Sequence, residues 1–185
     1  SEDGYLIDVE ASDGYVSYGK NYIAYSEDFS KWNETSRVTL EKADVVDPRG
    51  GFNAVKVSHS GSGNGSVITS SGLGEGAFEV KTGDLITMSV FVKAGTNDEV
   101  RLRFANDAKY FAAEVMNFTT GEFTGGNNLQ SSSLPMANGW YRVSATFEAI
   151  QDDTGFHCDI WYGDDGTYDI VNPSYIYMFG PQCEI

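Results

Sequence analysis

Short stretches that alternate apolar and polar residues with a period of two, separated by glycine-rich turns, confine this chain to a β-sheet architecture. "LITMSVFVK" (85–93), "VRLRF" (100–104), "YRVSATF" (141–147), "FHCDIWY" (156–162) and "SYIYMFG" (174–180) are rich in β-branched and aromatic residues and read as strands. Between the candidate strands lie turn clusters such as "SHSGSGNGS", "SSGLGEG", "KAGTND", "TGEFTGGNN" and "DDGTYD", and no window sustains a helical period. With 21 Gly, 11 Tyr and 11 Phe, the pattern predicts an all-β fold, an antiparallel two-sheet β-sandwich of roughly ten strands.

At 185 residues the chain supports one sizeable core, and a β-rich chain of this length is expected to form one domain. The first 20 residues differ: they carry two "DGY" repeats and no long apolar run, and are expected to form an N-terminal arm or extra hairpin leading into a domain over 21–185. The abrupt start at "SEDGY" is that expected of a piece of a larger parent protein. Twelve Lys and Arg stand against 27 Asp and Glu, a net charge of −15 spread along the chain, which argues against nucleic acid or an anionic membrane as partner. No apolar run approaches the roughly 20 residues of a membrane-spanning helix.

Chemistry-bearing motifs are sparse. The two histidines, His59 and His157, lie in separate segments, and no GxSxG elbow, HExxH or phosphate-binding loop occurs, so an enzyme is not expected. Carboxylates are numerous enough that counting alone leaves a glycosidase-like pair open. Asp164-Asp165-Gly166 reads as a turn by composition and lacks the alternating ligands of a calcium-binding EF-hand loop. Cys158 and Cys183 stand alone in two strand-like segments, without metal-ligand spacing. Two readings fit them, buried free thiols and a disulfide, the first being the blander.

Several motifs, taken in order, resemble a known family. "NYIAYSEDFSKW" (21–32), "GFNAVKV" (51–57), "ITMSVFVKAG" (86–95), "NFTTGEF" (117–123), "NGWYRVSATF" (138–147) and "YIYMFGPQCE" (175–184) follow one another as in the jelly-roll domains of phage tail and fibre proteins. Those domains are similar to carbohydrate-binding modules of the family 4, 9 and 22 type. The resemblance implies a noncatalytic jelly roll on a virion or an extracellular, secreted protein, holding an oligo- or polysaccharide on the outer face of one sheet. It also implies a structural calcium, which maps onto Ser26 or Glu27, Asp47 and the neighbourhood of Gln182. The C-terminal "GPQCEI" departs from the acidic pair expected there, which speaks against the metal.

The alternation assigns side chains to faces. After the Asn138-Gly139 turn, Tyr141, Val143, Ala145 and Phe147 point to the core and Trp140 and Arg142 to the other face, where Trp140 is expected to close an end of the sandwich. Trp32 is expected to anchor the entry loop. In 156–162, Phe156, Cys158, Ile160 and Tyr162 form the inward set, leaving His157, Asp159 and Trp161 on the solvent face as a candidate glycan platform; packing against a strand or a subunit is the equal alternative. In the hairpin 100–118, Arg101 and Arg103 share an outer face with Tyr110 and Glu114, while Phe111, Ala113 and Val115 turn inward. That group suits an anionic sugar, a uronate or sulfate, or else is a solvated cross-strand ion pair. The expected function is carbohydrate recognition or host-surface adhesion by a phage tail module. The alternative from another class is a structural virion domain whose outer face mediates fibre oligomerisation or protein docking.

Overall fold

The computed structural model describes residues 5–9, 16–23, 26, 28–32, 38–59, 66–69, 77–106, 110–125, 129–162 and 174–185. Among them are fourteen strands: β1 (Tyr5–Val9), β2 (Val16–Lys20), β3 (Val38–Lys42), β4 (Val55–His59), β5 (Ser66–Thr69), β6 (Phe78–Val80), β7 (Leu85–Ala94), β8 (Glu99–Ala105), β9 (Tyr110–Asn117), β10 (Phe123–Gly125), β11 (Leu129–Pro135), β12 (Trp140–Glu148), β13 (Asp153–Tyr162) and β14 (Tyr175–Glu184). The first large sheet runs β10-β9-β8-β13-β5, with β6 also paired to β13, and the second runs β11-β12-β7-β14-β4-β3. All pairings are antiparallel. β1 and β2 pair with each other as a separate two-stranded sheet.

The chain crosses repeatedly between the two large sheets, and their inner faces meet in one core, the antiparallel two-sheet sandwich that the alternation predicts. β7 supplies Ile86, Met88, Val90 and Val92, β12 supplies Val143, Ala145 and Phe147, and β8 supplies Val100, Leu102 and Phe104, all buried. Phe111, Phe147 and Phe156 stack mutually at 5.7 to 6.0 Å, and Phe104 stacks on Phe147 at 5.5 Å. These rings join the sheets at one end of the sandwich. Trp32 packs into the same core, as an anchor of its loop should.

Two departures from strict alternation decide the site. Between β8 and β9 the register shifts after Phe104, which pairs with Ala112, to Ala105, which pairs with Tyr110. The bulge leaves Phe111 between these pairs; it still packs on the core, and from Ala112 onward the facing is reversed. Glu114 and Met116 therefore lie opposite Leu102 and Val100 and are buried, whereas Ala113 and Val115 lie opposite Arg103 and Arg101. This corrects the expectation for the hairpin: Glu114 faces inward and does not share a face with the arginines.

The second departure lies in β14, where the register against β7 shifts between Phe179 and Gln182 and Gly180 adopts a φ of 55°. A residue without Cβ takes that conformation readily, and the strand resumes with Cys183 inward and Gln182 outward.

Candidate functional site

The outer face of the first sheet brings together part of what the sequence placed there. β13 is a neighbour of β8, with Asp159 beside Arg103 and Trp161 beside Arg101 in register. Arg103 donates from Nε to Asp159 Oδ2 at 2.7 Å, and its Nη2 donates to the same oxygen. His157 Nε2 lies 3.6 Å from that oxygen, and His157 Nδ1 lies 3.3 Å from the Gly155 carbonyl.

Asp159, however, has 0% and His157 only 8% of its surface exposed, so the expectation that they stand on a solvent face is corrected. The charge of this carboxylate, in the middle of a sheet, is offset through Oδ2 by the guanidinium directly across the strand. The side chains of Trp161 and Tyr110 lie outside the described residues. Arg101 remains half-buried on this face.

The outer face of the second sheet is built differently. Four rows cross it in register. Trp140, Lys93, Tyr177, Lys56 and Glu41 form one; Leu134, Arg142, Phe91 and Phe179 the next; then Ser132, Ser144, Ser89 and Gln182; and last Gln130, Thr146, Thr87 and Glu184. With strands about 4.8 Å apart, the four-strand serine row is roughly 14 Å long.

At one end the face is closed by the loop between β3 and β4. Trp140, 1% exposed, packs with Phe179, Ala43 and Ala54, and its indole Nε1 donates to the Val46 carbonyl at 2.9 Å. The Asn-Gly turn ahead of it takes φ values of 60° at Asn138 and 75° at Gly139, which the two residues tolerate. Trp140 thus has the structural role expected of it.

The loop is shaped by Asp47. Its Oδ1 accepts the backbone N–H groups of Arg49 and Gly51 at 2.8 and 3.1 Å, and its Oδ2 that of Asn53 at 3.0 Å. Burial works against the Asp47 charge, but these backbone donors outweigh it and hold the carboxyl below its ordinary range. Gln182 Oε1, another described member of the implied calcium set, accepts from Arg142 Nη2. One carboxylate is turned to loop amides and one amide oxygen to a guanidinium, so the two do not form a shared donor set. Glu27 lies outside the described residues, among which no three His, Cys, Asp or Glu side chains are grouped to hold a metal.

Beyond the loop the face is half-open and polar. Arg142 lies over the Phe91 ring, 4.4 Å from its centroid, and donates to Ser89 Oγ at 2.5 Å, to the Gly180 carbonyl at 3.3 Å and to Gln182. Burial pushes its guanidinium down to about 10, with Glu184 opposing and Arg49 reinforcing the fall, so it stays charged at neutral pH. Ser132 and Ser144 hydroxyls meet at 2.8 Å, as do those of Thr87 and Thr146.

Tyr175 and Tyr177, two residues apart on β14, are half-buried with rings edge-on at 5.4 Å. Burial raises the Tyr177 hydroxyl, and its hydrogen bond with Tyr175 adds to the rise. Lys56 Nζ sits 4.6 Å above the Tyr175 ring. A Cβ at Gly95 would collide with the Tyr175 ring and carbonyl, so the glycine lets this strand end approach. Lys93, beside Tyr177 in register, has no hydrogen-bond or ion-pair partner among the described residues.

This face can hydrogen-bond through hydroxyl, amide and guanidinium groups, stack through tyrosine, and neutralise a negative group through Lys93. Alternation alone places Arg142 on the outer side but gives no role to it or to Tyr175 and Tyr177. The signal was present in "SYIYMFG", where the tyrosines alternate with Ile176 and Met178, both buried.

No family model matches the chain, and no curated protein matches it. Solved structures similar to it include one described as "CBM4 structure and function", at a TM-score of 0.47 and 10% identity over 99% of this chain and 95% of that one. Another is the C-terminal CBM6 of LamC, a marine laminarinase from Zobellia galactanivorans, at a TM-score of 0.36 and 16% identity over 83% of this chain and 95% of that one. Likeness at these scores says nothing of what this chain binds.

Proposed function

We propose that the chain is a noncatalytic carbohydrate-binding module whose ligand lies across the outer face of the second sheet. The observation that carries this reading is the pairing, on one half-open face, of the Tyr175 and Tyr177 rings with the Arg142, Ser89, Ser144 and Gln182 hydrogen-bonding ladder. Sugar C–H patches stack on aromatic rings, and sugar hydroxyls need donors and acceptors in fixed places beside them. Lys93 favours a glycan bearing a carboxylate or sulfate. The setting carried with this reading, a receptor-reading module of a phage tail or a secreted protein, is supported by the ordered motif set alone.

A second reading moves the ligand to the first sheet, and the register of Trp161 beside Arg101 favours it. A glycan array of neutral, uronate and sulfated sugars, probed with wild type, Tyr177→Ala and Trp161→Ala after a check of folding by circular dichroism, separates the readings. We expect Tyr177→Ala to lose about tenfold in affinity, about 1.4 kcal/mol, and Trp161→Ala to bind as wild type. The opposite result moves the site to the first sheet. Absence of binding by all three, with a wild type that elutes as an oligomer, replaces the glycan with a protein interface.

A further inference from the structure

We infer that Cys158 and Cys183 form a disulfide that pins the two sheets together when the chain folds under oxidising conditions. Cys158 belongs to β13 of the first sheet and Cys183 to β14 of the second, strands that are not neighbours in either. Both side chains point into the core, both thiols are buried and not joined by a disulfide, and their sulfurs face each other at 3.0 Å. A disulfide needs them closer by about 1 Å, a movement within the reach of side-chain torsions.

The surroundings leave this pair little other chemistry. Cys158 lies beside Phe104 and Cys183 beside Met88 in register, both fully buried, and no cluster of metal-ligating side chains includes either thiol among the described residues. The oxidant is a low-molecular-weight disulfide. One cysteine thiolate attacks it, releasing one thiol and leaving a mixed disulfide. The second cysteine gives up its proton and attacks the mixed disulfide, releasing the second thiol. The protein loses two hydrogens and two electrons, and the oxidant is reduced to two thiols. Burial holds the Cys158 thiol well above its ordinary range, with Cys183 adding to the rise, so the exchange belongs to the folding chain and not to the closed core.

The bond would close a loop between positions 25 residues apart and tie β14 to the opposite sheet just past its irregular step. Gln182 and Glu184, which flank Cys183, face outward, so the link would fix the strand that carries one side of the polar face. The inference does not depend on what that face binds.

The full chain is unfolded, refolded either in a glutathione redox buffer or in excess dithiothreitol, then denatured with an alkylating reagent for intact mass. The expected result is a monomer two hydrogens lighter, with no alkyl group added, from the redox buffer, and two alkyl groups from the reduced sample. The oxidised protein should unfold roughly 5–10 °C higher. Cys158→Ala with Cys183→Ala should unfold at one temperature in both buffers. Two alkyl groups after refolding in the redox buffer, disulfides only between chains, or no rise in unfolding temperature would each overturn the inference. The mass measurement on wild type decides even where the double variant does not fold.

Discussion

On the outer face of the first sheet, Arg103 sits directly across the strand from Asp159, and the carboxylate beneath it has no exposed surface. On the outer face of the second, Arg142 is held by the neutral acceptors Ser89, Gln182 and the Gly180 carbonyl, and its surroundings stay half-open. Both faces carry an arginine and a carboxylate. On the first face opposite charges stand in register and the Arg103 guanidinium is engaged by Asp159. A cation surrounded by neutral hydroxyls and amides keeps its charge, and the acceptors keep lone pairs to offer. The two faces therefore differ in which partners the register brings together more than in how many polar residues point outward.

The largest effect that tests this contrast comes from removing the two arginines in turn. Arg103→Met leaves a carboxylate with no exposure lacking its guanidinium and should cost about 3–5 kcal/mol in denaturant unfolding. Arg142→Met removes a guanidinium whose hydrogen-bond partners are neutral and half-open to water, and should cost about 1 kcal/mol. Equal costs would mean that the two faces are not differently closed.

A smaller effect probes what closes one end of the second face. Trp140→Phe keeps a ring beneath the loop but loses the bond from its indole to the Val46 carbonyl, so about 1 kcal/mol of stability should go. Calorimetric unfolding that is unmoved would show that the loop is not held by the indole.

Residues whose strands keep a strict period were legible in the sequence. Val100, Leu102 and Phe104 of β8 and Val143, Ala145 and Phe147 of β12 were assigned to the core from alternation alone, and they are buried. Alternation also placed Trp140 and Arg142 together on the outer side. It could not show that Ala43, Val45 and Ala54, from a loop about 90 residues earlier, would pack around Trp140. Nor could it show that Asp159 would be buried: the alternation in "FHCDIWY" is the same whether β13 is an edge strand or, as here, lies between β8 and β5 with a cation across from its carboxylate. The slip in β9 has a local cause. A bulge adds one residue without leaving a mark in composition, since "YFAAEVMNF" alternates acceptably in either facing, and the extra position at Phe111 reverses every residue after it.

Glu114 measures that reversal directly, and its effect is the smallest of the set. On the outer face beside the arginines it would be a carboxylate held at or below its ordinary pKa, and Glu114→Gln would gain no lead over wild type as the pH rises above 4.5. Facing inward it is 5% exposed, without a hydrogen-bond or ion-pair partner among the described residues, and burial raises its pKa above the ordinary 4.5. Below 4.5 the folded and unfolded chains both hold the proton, so wild type and Glu114→Gln should be close in stability. As the pH climbs through the folded-state value, the unfolded chain has already released its proton while the folded chain must ionise a buried group. Wild type then loses stability that the glutamine variant keeps. The variant should become the more stable of the two across this window and hold a constant lead above it, read from urea unfolding at steps between about pH 4 and 8. The absence of a lead that grows with pH would return Glu114 to the outer face, restore a carboxylate beside Arg101, and remove the bulge at Phe111 as the reason the two faces differ.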